Sequence, residues 1–231
     1  MPKIPDNVTS TELEPYITTL EEMPVGYNFN EKDLAKYNFS KEKLSFIIVD
    51  ELKSALPSLN GLFNVMCKVP GVKVRVIDFS GMYKQDNLDI KTFNSDYDAL
   101  ITAFEKDLKE RTLQQDRAIT IILGAGLMKQ KLGDFGKEKL SEFFDAIKEA
   151  TNSNVILIDA YERLKNLKVE KWYQTVNMSH GIWIGKGLEN QNMLNVKALT
   201  MDERKLEFEG MAFLIDDTDY TLIKTVMDGE E

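Results

Sequence analysis

Lys53-Ser54 is the part of the sequence that comes nearest to a phosphate-binding motif. The pair follows a short apolar run, residues 46–49, at the start of a helical pattern, where nucleotide hydrolases place a glycine-rich loop around phosphates. The motif G-x-x-x-x-G-K-S/T is absent, and the connecting Asp50-Glu51 has no glycine and would repel a triphosphate. We therefore predict that Lys53 and Ser54 mark a vestigial phosphate-loop position and that Lys53 is a solvated helix residue.

Three aspartates stand where apolar runs end, a place where a carboxylate can hold magnesium or serve catalysis. Asp50 follows residues 46–49, and Asp78 and Asp159 follow two later runs. An apolar strand ending in Asp-Glu is typical of the magnesium site of such hydrolases. Here the phosphate loop would have to lie upstream, where the sequence is only a proline-punctuated segment. Because such an aspartate often caps the next helix, we interpret all three as structural and expect no metal.

Gly124-Ala125 and His180 complete the set of candidate residues. Gly124 and Ala125 follow the run 118–123, where a metal-holding strand would carry carboxylates, so we interpret them as a vestigial metal-strand position in a tight turn. His180 has no serine or cysteine partner within a motif. We expect it to make a structural hydrogen bond near Trp183.

Strands alternate with helices along the chain from about residue 44. Short apolar runs predict strands that are buried on both faces of a sheet, at 46–49, 72–77, 118–123, 154–158 and 181–184. Apolar residues spaced by three and four predict helices at 56–66, 97–108, 137–151 and 190–196. The alternation predicts a three-layer α/β domain with a mainly parallel sheet and right-handed crossovers.

Both ends of the chain differ from this pattern. Residues 1–40 contain four of the six prolines and are predicted to form a lead-in arm. Near the other end, residues 205–209 and 210–215 are predicted to form a hairpin that precedes an acidic tail. The apolar residues of that tail predict a last helix or strand packed on the domain; they are Tyr220, Leu222, Ile223 and Val226.

Composition argues against several classes of function. With 231 residues, 43% of them hydrophobic, the chain can bury the core of one large domain or two small ones. Its formal net charge of −9 opposes contact with a nucleic-acid backbone. A single cysteine and a single histidine leave no internal disulfide and no Cys/His metal cluster, which fits a reducing, intracellular setting. Because no run approaches ~18 apolar residues, we expect no membrane span in these residues.

The segments occur in the order found in a known family. Residues 23–28 resemble an opening strand, 45–49 the strand before the phosphate loop, 74–81 the next strand, 118–123 the metal-holding strand, and 154–159 and 181–185 the later strands. Over nearly its whole length the chain resembles the third, C-terminal ATPase domain of the EssC-type motor of type VII secretion, in the FtsK/SpoIIIE family. The resemblance implies a RecA-like, P-loop-NTPase-like fold, with an inter-module linker arm and opening strand in residues 1–40 and the ATPase-like domain in residues 41–231.

Departures from the family pattern affect both halves of its nucleotide site. The glycines are missing at Lys53-Ser54, and Gly124 and Ala125 stand where two acidic residues are usual. The resemblance thus implies a degenerate module without ATP or magnesium, in a longer membrane-anchored motor whose other modules hydrolyse ATP. It also implies a role in substrate recognition or in regulation of the motor. The expected partners are secreted substrate proteins, neighbouring ATPase modules and other secretion components, at the cytoplasmic side of the bacterial cell membrane.

Two other hypotheses stay open at this point. The chain could be a functional or nucleotide-regulated ATPase that uses an atypical phosphate loop around Lys53-Ser54, with magnesium on Asp159 or Asp50. Substituting Lys53 should then abolish nucleotide binding. Alternatively, it could be an unrelated α/β enzyme that works through Asp78, Asp159 and His180.

Overall fold

The protein is described by a computed structural model that covers residues 4–83, 89–91, 96–111 and 117–229. Within these ranges ten strands form a single sheet. The strands are β1 (Met23–Asn28), β2 (Leu34–Tyr37), β3 (Leu44–Val49), β4 (Val72–Asp78), β5 (Asp89–Lys91), β6 (Arg117–Leu123), β7 (Ser153–Ala160), β8 (His180–Ile184), β9 (Met211–Asp216) and β10 (Asp219–Thr225). The α-helices are α1 (Ser10–Leu13), α2 (Leu52–Cys67), α3 (Tyr97–Arg111), α4 (Met128–Lys131), α5 (Asp134–Glu149) and α6 (Tyr161–Leu164).

The centre of the sheet is parallel, as predicted. Its strands lie in the order β8-β3-β7-β6-β4-β5, and each pairs in parallel with its neighbours. All five predicted apolar runs fall in these strands and are largely buried. Because β6 and β7 lie between β3 and β4, the carboxyl ends of β3, β6 and β7 meet at one edge of the sheet.

Helices cover both faces of the parallel strands. On one face, Leu59 and Phe63 of α2 belong to the same buried core as Ile47 of β3. On the other face, Phe143 of α5 belongs to a second core together with the next residue of that strand, Ile48. Adjacent residues of one strand therefore enter two different cores, which explains why these strands are apolar at every position. This is the predicted three-layer α/β fold.

An antiparallel extension in the order β2-β1-β10-β9 continues the sheet beyond β8. The acidic tail thus contributes the strand β10, which confirms the predicted packed element. The hairpin predicted from residues 205–209 and 210–215 is wrong, because β9 pairs with β10 and Lys205 ends a 3-10 helix, Glu203–Lys205. Positive φ angles at Asp217 and Thr218 form the tight turn that joins the two strands.

The helix predicted at residues 190–196 is not formed. A 3-10 turn ends at Asn190, and Gln191 is extended, with φ −97° and ψ 162°. The side-chain oxygen of Gln191 accepts hydrogen bonds from the backbone N–H groups of Met193, at 2.6 Å, and Leu194, at 2.7 Å. These local bonds satisfy backbone donors outside a helix, and they compete with the helix that the apolar spacing indicates.

The N-terminal segment packs closely on the rest of the chain. The segment 23–28 that resembles an opening strand is β1, while β2 was not anticipated. Val8 is buried, and its carbonyl accepts a hydrogen bond from the N–H of Met227 at 2.7 Å. Gly61 of α2 allows the C-terminal segment to lie directly against the helix, since a Cβ at this position would lie 2.8 Å from the Val226 carbonyl carbon. The division of the chain at residue 40 stays a prediction.

Candidate functional site

The connection between β3 and α2 is the position where this fold carries a phosphate loop, and it consists of two residues. The Asp50 carboxylate folds over Gly185, whose added Cβ would lie 2.4 Å from it. It accepts hydrogen bonds from the N–H groups of Glu51, at 2.6 Å, and Lys186, at 3.1 Å. A carboxylate of the protein thus occupies the start of α2, where backbone N–H groups would otherwise face a phosphate.

Lys53 and Ser54 lie in the first turn of α2 and are both exposed. The Ser54 hydroxyl donates to the Glu51 carbonyl at 3.1 Å, which is a bond within the turn. With two connecting residues, the backbone makes no loop long enough to surround a phosphate. The connection therefore forms no phosphate-binding loop beside Lys53 and Ser54. Their role as a vestigial phosphate-loop position remains a prediction.

Gly124 directly follows β6 and has the left-handed conformation, with φ 73°. A Cβ at this position would lie 2.6 Å from the backbone nitrogen of Ser80, closer than real Cβ atoms approach backbone. The next residue, Ala125, is fully buried at the start of a 3-10 turn, Ala125–Leu127. A side chain at Gly124 would not fit without movement of the neighbouring loop, while the role of Gly124 and Ala125 as a vestigial metal-strand position stays a prediction.

Asp159, at the end of β7, is fully buried and completely engaged. Its Oδ1 accepts from the Nε of Arg163 at 2.7 Å, with a second contact from Nη2 of the same guanidinium, and from the Ala160 N–H. Its Oδ2 accepts from the Gly126 N–H at 3.0 Å. The carboxylate therefore joins three segments of the sheet edge, and it does not face a cation site.

Asp78, at the end of β4, has a similar structural role. Its Oδ1 accepts hydrogen bonds from the N–H groups of Ser80, at 2.8 Å, and Gly81, at 3.0 Å, and its Oδ2 accepts from the N–H of Tyr83 at 3.0 Å. These contacts fix the loop that approaches Gly124. Within the part of the chain that the structure describes, no group of three or more His, Cys, Asp or Glu side chains is placed to hold a metal ion.

His180 begins β8 and therefore lies at the edge of the sheet opposite to Asp78 and Asp159, the two aspartates of the alternative enzyme hypothesis. Its Nε2 lies 3.1 Å from the Asn38 carbonyl and its Nδ1 3.3 Å from the Asp216 carboxylate, and its ring stacks on Tyr37. Burial alone would raise the pKa of Asp216, but hydrogen bonds from Lys41 and His180 lower it. His180 makes the expected kind of hydrogen bond, but its partners are Asn38 and Asp216, and its structural role stays a prediction.

A cleft of about 260 Å³ lies between the start of α2, the end of β8 and the segment that leads into β9. Asp50, Lys186, Glu207 and Glu209 contribute charged groups to it, and an ion pair joins Lys186 to Glu207. Sequence reasoning missed both glutamates, because they are distant from residue 50 and carry no motif.

No helix in the described ranges has the length and apolar character needed to cross a membrane.

Solved structures with the same architecture identify the fold. The cytoplasmic domain of EssC matches with a TM-score of 0.74 and 9% identity over 99% of this chain. EssC (ATPases 2 and 3) from Geobacillus thermodenitrificans matches at 0.72 and 11% over 99%. The chain has the fold of EssC-type ATPase domains. No family model and no curated protein sequence matches it.

A second group of solved structures with the EssC-type fold consists of EccC proteins. The cytoplasmic domain of the Thermomonospora curvata type VII secretion ATPase EccC matches at a TM-score of 0.71 with 10% identity over 98% of this chain. EccC (ATPases 2 and 3) from the same organism, in complex with a signal sequence peptide, matches at 0.69. The chain spans 48% and 46% of the two EssC structures and 28% of the longer EccC structure. It therefore corresponds to one ATPase-type domain of these longer proteins.

Proposed function

We propose that this chain is a catalytically degenerate ATPase-fold module of a type VII secretion motor, and that it acts by binding proteins. Its fold, shared with EssC and EccC ATPase domains over almost the whole chain, supports a place in such a motor. Binding of a signal sequence peptide by the EccC fragment supports a role in recognising secreted substrates. Regulation of the motor through neighbouring modules is the other role that we propose.

The observation that carries this proposal is the carboxylate of Asp50 at the start of α2. It accepts hydrogen bonds from the backbone N–H groups of Glu51 and Lys186, so a negative charge of the protein lies at the helix end where a phosphate would bind. Glu207 and Glu209 add negative charge to the same cleft. Two unit charges ~4 Å apart repel by about 4 kcal/mol at an effective dielectric constant of ~20, so a bound triphosphate would meet repulsion at several points.

The metal-holding half of the site supports the same conclusion. Gly124 leaves no room for a side chain beside Ser80, and Asp159 is saturated by Arg163 and two backbone N–H groups. These residues do not fit ATP and magnesium. We propose that hydrolysis belongs to other modules of a longer, membrane-anchored protein, and that this module works at the cytoplasmic side of the membrane.

A phosphate-release assay with ATP and magnesium tests the absence of catalysis. We expect the same background rate for the wild-type chain, for Lys53→Ala and for Lys148→Ala. Lys148 is the matched control, since it is an exposed lysine at the end of α5 that pairs with Asp145. Hydrolysis that Lys53→Ala abolishes and Lys148→Ala preserves would contradict the proposal and would favour an active site around Lys53-Ser54.

A further inference from the structure

A short segment just beyond β10 joins the N-terminal part of the chain to helix α2. Successive backbone N–H groups of this segment, residues 227–229, donate to two different elements. The N–H of Met227 donates to the Val8 carbonyl at 2.7 Å, and the N–H of Asp228 donates to the Pro57 carbonyl of α2 at 2.9 Å. Because residues 227–229 hold two elements together, we call them the clasp.

The Asp228 side chain makes the same connection a second time. Its Oδ1 accepts a hydrogen bond from the N–H of Ser10 at 3.0 Å, and its Oδ2 accepts one from the side-chain amide of Asn64 at 2.6 Å. Burial alone would raise the pKa of Asp228, but the hydrogen bonds from Ser10 and Asn64 lower it. Hydrogen bonds to an ionised group are the stronger kind, so this carboxylate is a main contact between the N-terminal segment and α2.

Helix α2 has a glycine where the chain enters the clasp. A Cβ added at Gly61 would lie 2.8 Å from the carbonyl carbon of Val226 and 2.9 Å from the nitrogen of Met227. Both are backbone atoms, so a side chain at Gly61 requires the clasp to move. Glycine is an unfavourable residue inside a helix, and the close approach of the clasp accounts for its presence here.

The N-terminal segment, residues 4–16, depends on such contacts for its structure. Its helix α1 has only four residues, and isolated helices of fewer than ~12 residues are marginal in water. Val8 and Leu13 are buried in the core that α2 covers. The ion pair from Glu14 to Lys68 of the chain that follows α2 is partly exposed, and such pairs contribute little stability. The bonds to the clasp are therefore expected to decide whether this segment stays on α2.

We propose that the clasp is a releasable latch, whose opening frees the N-terminal segment from α2 while the ten-stranded sheet stays folded. The structure shows the closed state. In the open state, residues 4–16 and 227–229 detach together and expose the side of α2 that carries Pro57 and Gly61. Local opening of this kind involves the least stable parts of a fold. Its regulatory use rests on the proposed function, in which residues 1–40 connect this domain to another module and the latch sets how firmly that connection lies on α2.

Hydrogen exchange of the whole chain, followed by mass spectrometry of its peptides, tests the latch. Asp228→Ala removes both hydrogen bonds to the carboxylate, and Asp145→Ala removes an exposed carboxylate on α5 as the matched control. We expect Asp228→Ala to speed exchange in residues 4–16 and 227–229 about tenfold and to leave β3 and β7 unchanged. Unchanged exchange in residues 4–16 would overturn the proposal. An equal increase in β3 and β7, or the same effect from Asp145→Ala, would overturn it as well.

Gly61→Ala tests the latch from the side of α2. Alanine is a better helix former than glycine, so the substitution does not weaken α2 itself. The added Cβ displaces the clasp, and exchange in residues 4–16 should again rise about tenfold or more while β3 and β7 keep their rates. Unless exchange rises selectively in the N-terminal segment, the proposal is overturned.

The latch and the degenerate nucleotide site fail in different experiments. ATP hydrolysis that depends on Lys53 would refute the degenerate-module proposal and would leave the exchange of residues 4–16 as expected. An N-terminal segment that ignores both Asp228→Ala and Gly61→Ala refutes the latch alone.

Discussion

Gly124 and Gly81 provide a matched test of why the metal-holding strand ends without a carboxylate. Both residues are left-handed, with φ of 73° and 70°. A Cβ added at Gly124 would lie 2.6 Å from the Ser80 backbone nitrogen and 3.0 Å from the Ser80 Cβ, whereas a Cβ added at Gly81 meets nothing within 4 Å. The two sites therefore share the backbone conformation and differ in the space available.

The expected costs of alanine at the two positions differ accordingly. The left-handed conformation costs a non-glycine residue about 1–2 kcal/mol, and this contribution is common to both variants. Overpacking against backbone adds about 1–3 kcal/mol at Gly124 only. We predict that Gly81→Ala lowers the free energy of unfolding by about 1–2 kcal/mol and that Gly124→Ala lowers it by about 2–5 kcal/mol.

Equilibrium unfolding in urea, followed by circular dichroism and extrapolated to water, measures both variants against wild type. If the slope of the unfolding free energy against urea concentration is unchanged, the variants differ from wild type in stability and not in the compactness of the denatured state. If Gly124→Ala costs no more than Gly81→Ala, the close approach of Ser80 does not prevent a side chain at Gly124. The steric part of our explanation for the missing carboxylate would then be refuted.

Two further predictions concern carboxylates that the structure pairs with arginine. Asp159→Asn should lower the free energy of unfolding by about 2–4 kcal/mol, because it breaks the buried pair with Arg163. The exposed control Glu162→Gln should cost less than about 0.5 kcal/mol in the same urea experiment. Similar costs for Asp159→Asn and Glu162→Gln would contradict the structural role of Asp159. The hydrogen bond from Arg117 lowers the pKa of Glu21 from 4.5 to about 2, so its stabilisation is complete above about pH 4.5 and is lost as pH falls towards 2. Because the Glu21 side chain is 46% exposed, this ion pair should stabilise the fold by less than about 1 kcal/mol. In Glu21→Gln the thermal midpoint should depend less on pH over this range. An unchanged pH dependence would refute the stabilising role of the Glu21–Arg117 pair.

Apolar patterns predicted the parallel part of the fold because its strands are buried on both faces. Adjacent residues such as Ile47 and Ile48 contribute to separate cores, so the strand appears in the sequence as an unbroken apolar run. The same kind of pattern failed at residues 190–196, where the Gln191 side chain takes two backbone N–H groups out of a helix. It failed again at residues 205–209, which precede the true hairpin.

The candidate site was less predictable because its contacts join distant parts of the chain. The sequence places Asp50 at a strand end, but it does not show that the carboxylate lies over Gly185. Arg163 was not singled out, although an arginine four residues after Asp159 in a helical turn is the local signal that could have revealed the pair. Glu207 and Glu209 reach the cleft only through an irregular segment before β9, and no sequence pattern marks that path.

Calorimetric titration of the chain with ATP and magnesium tests most directly whether the nucleotide site is vestigial. At concentrations that detect a dissociation constant of about 1 mM, equivalent to roughly 4 kcal/mol, we predict no saturable heat for the wild-type chain or for Lys53→Ala. Saturable heat in the wild type that Lys53→Ala removes and Lys148→Ala retains would contradict the account. It would show that a phosphate site survives at the start of α2 despite Asp50.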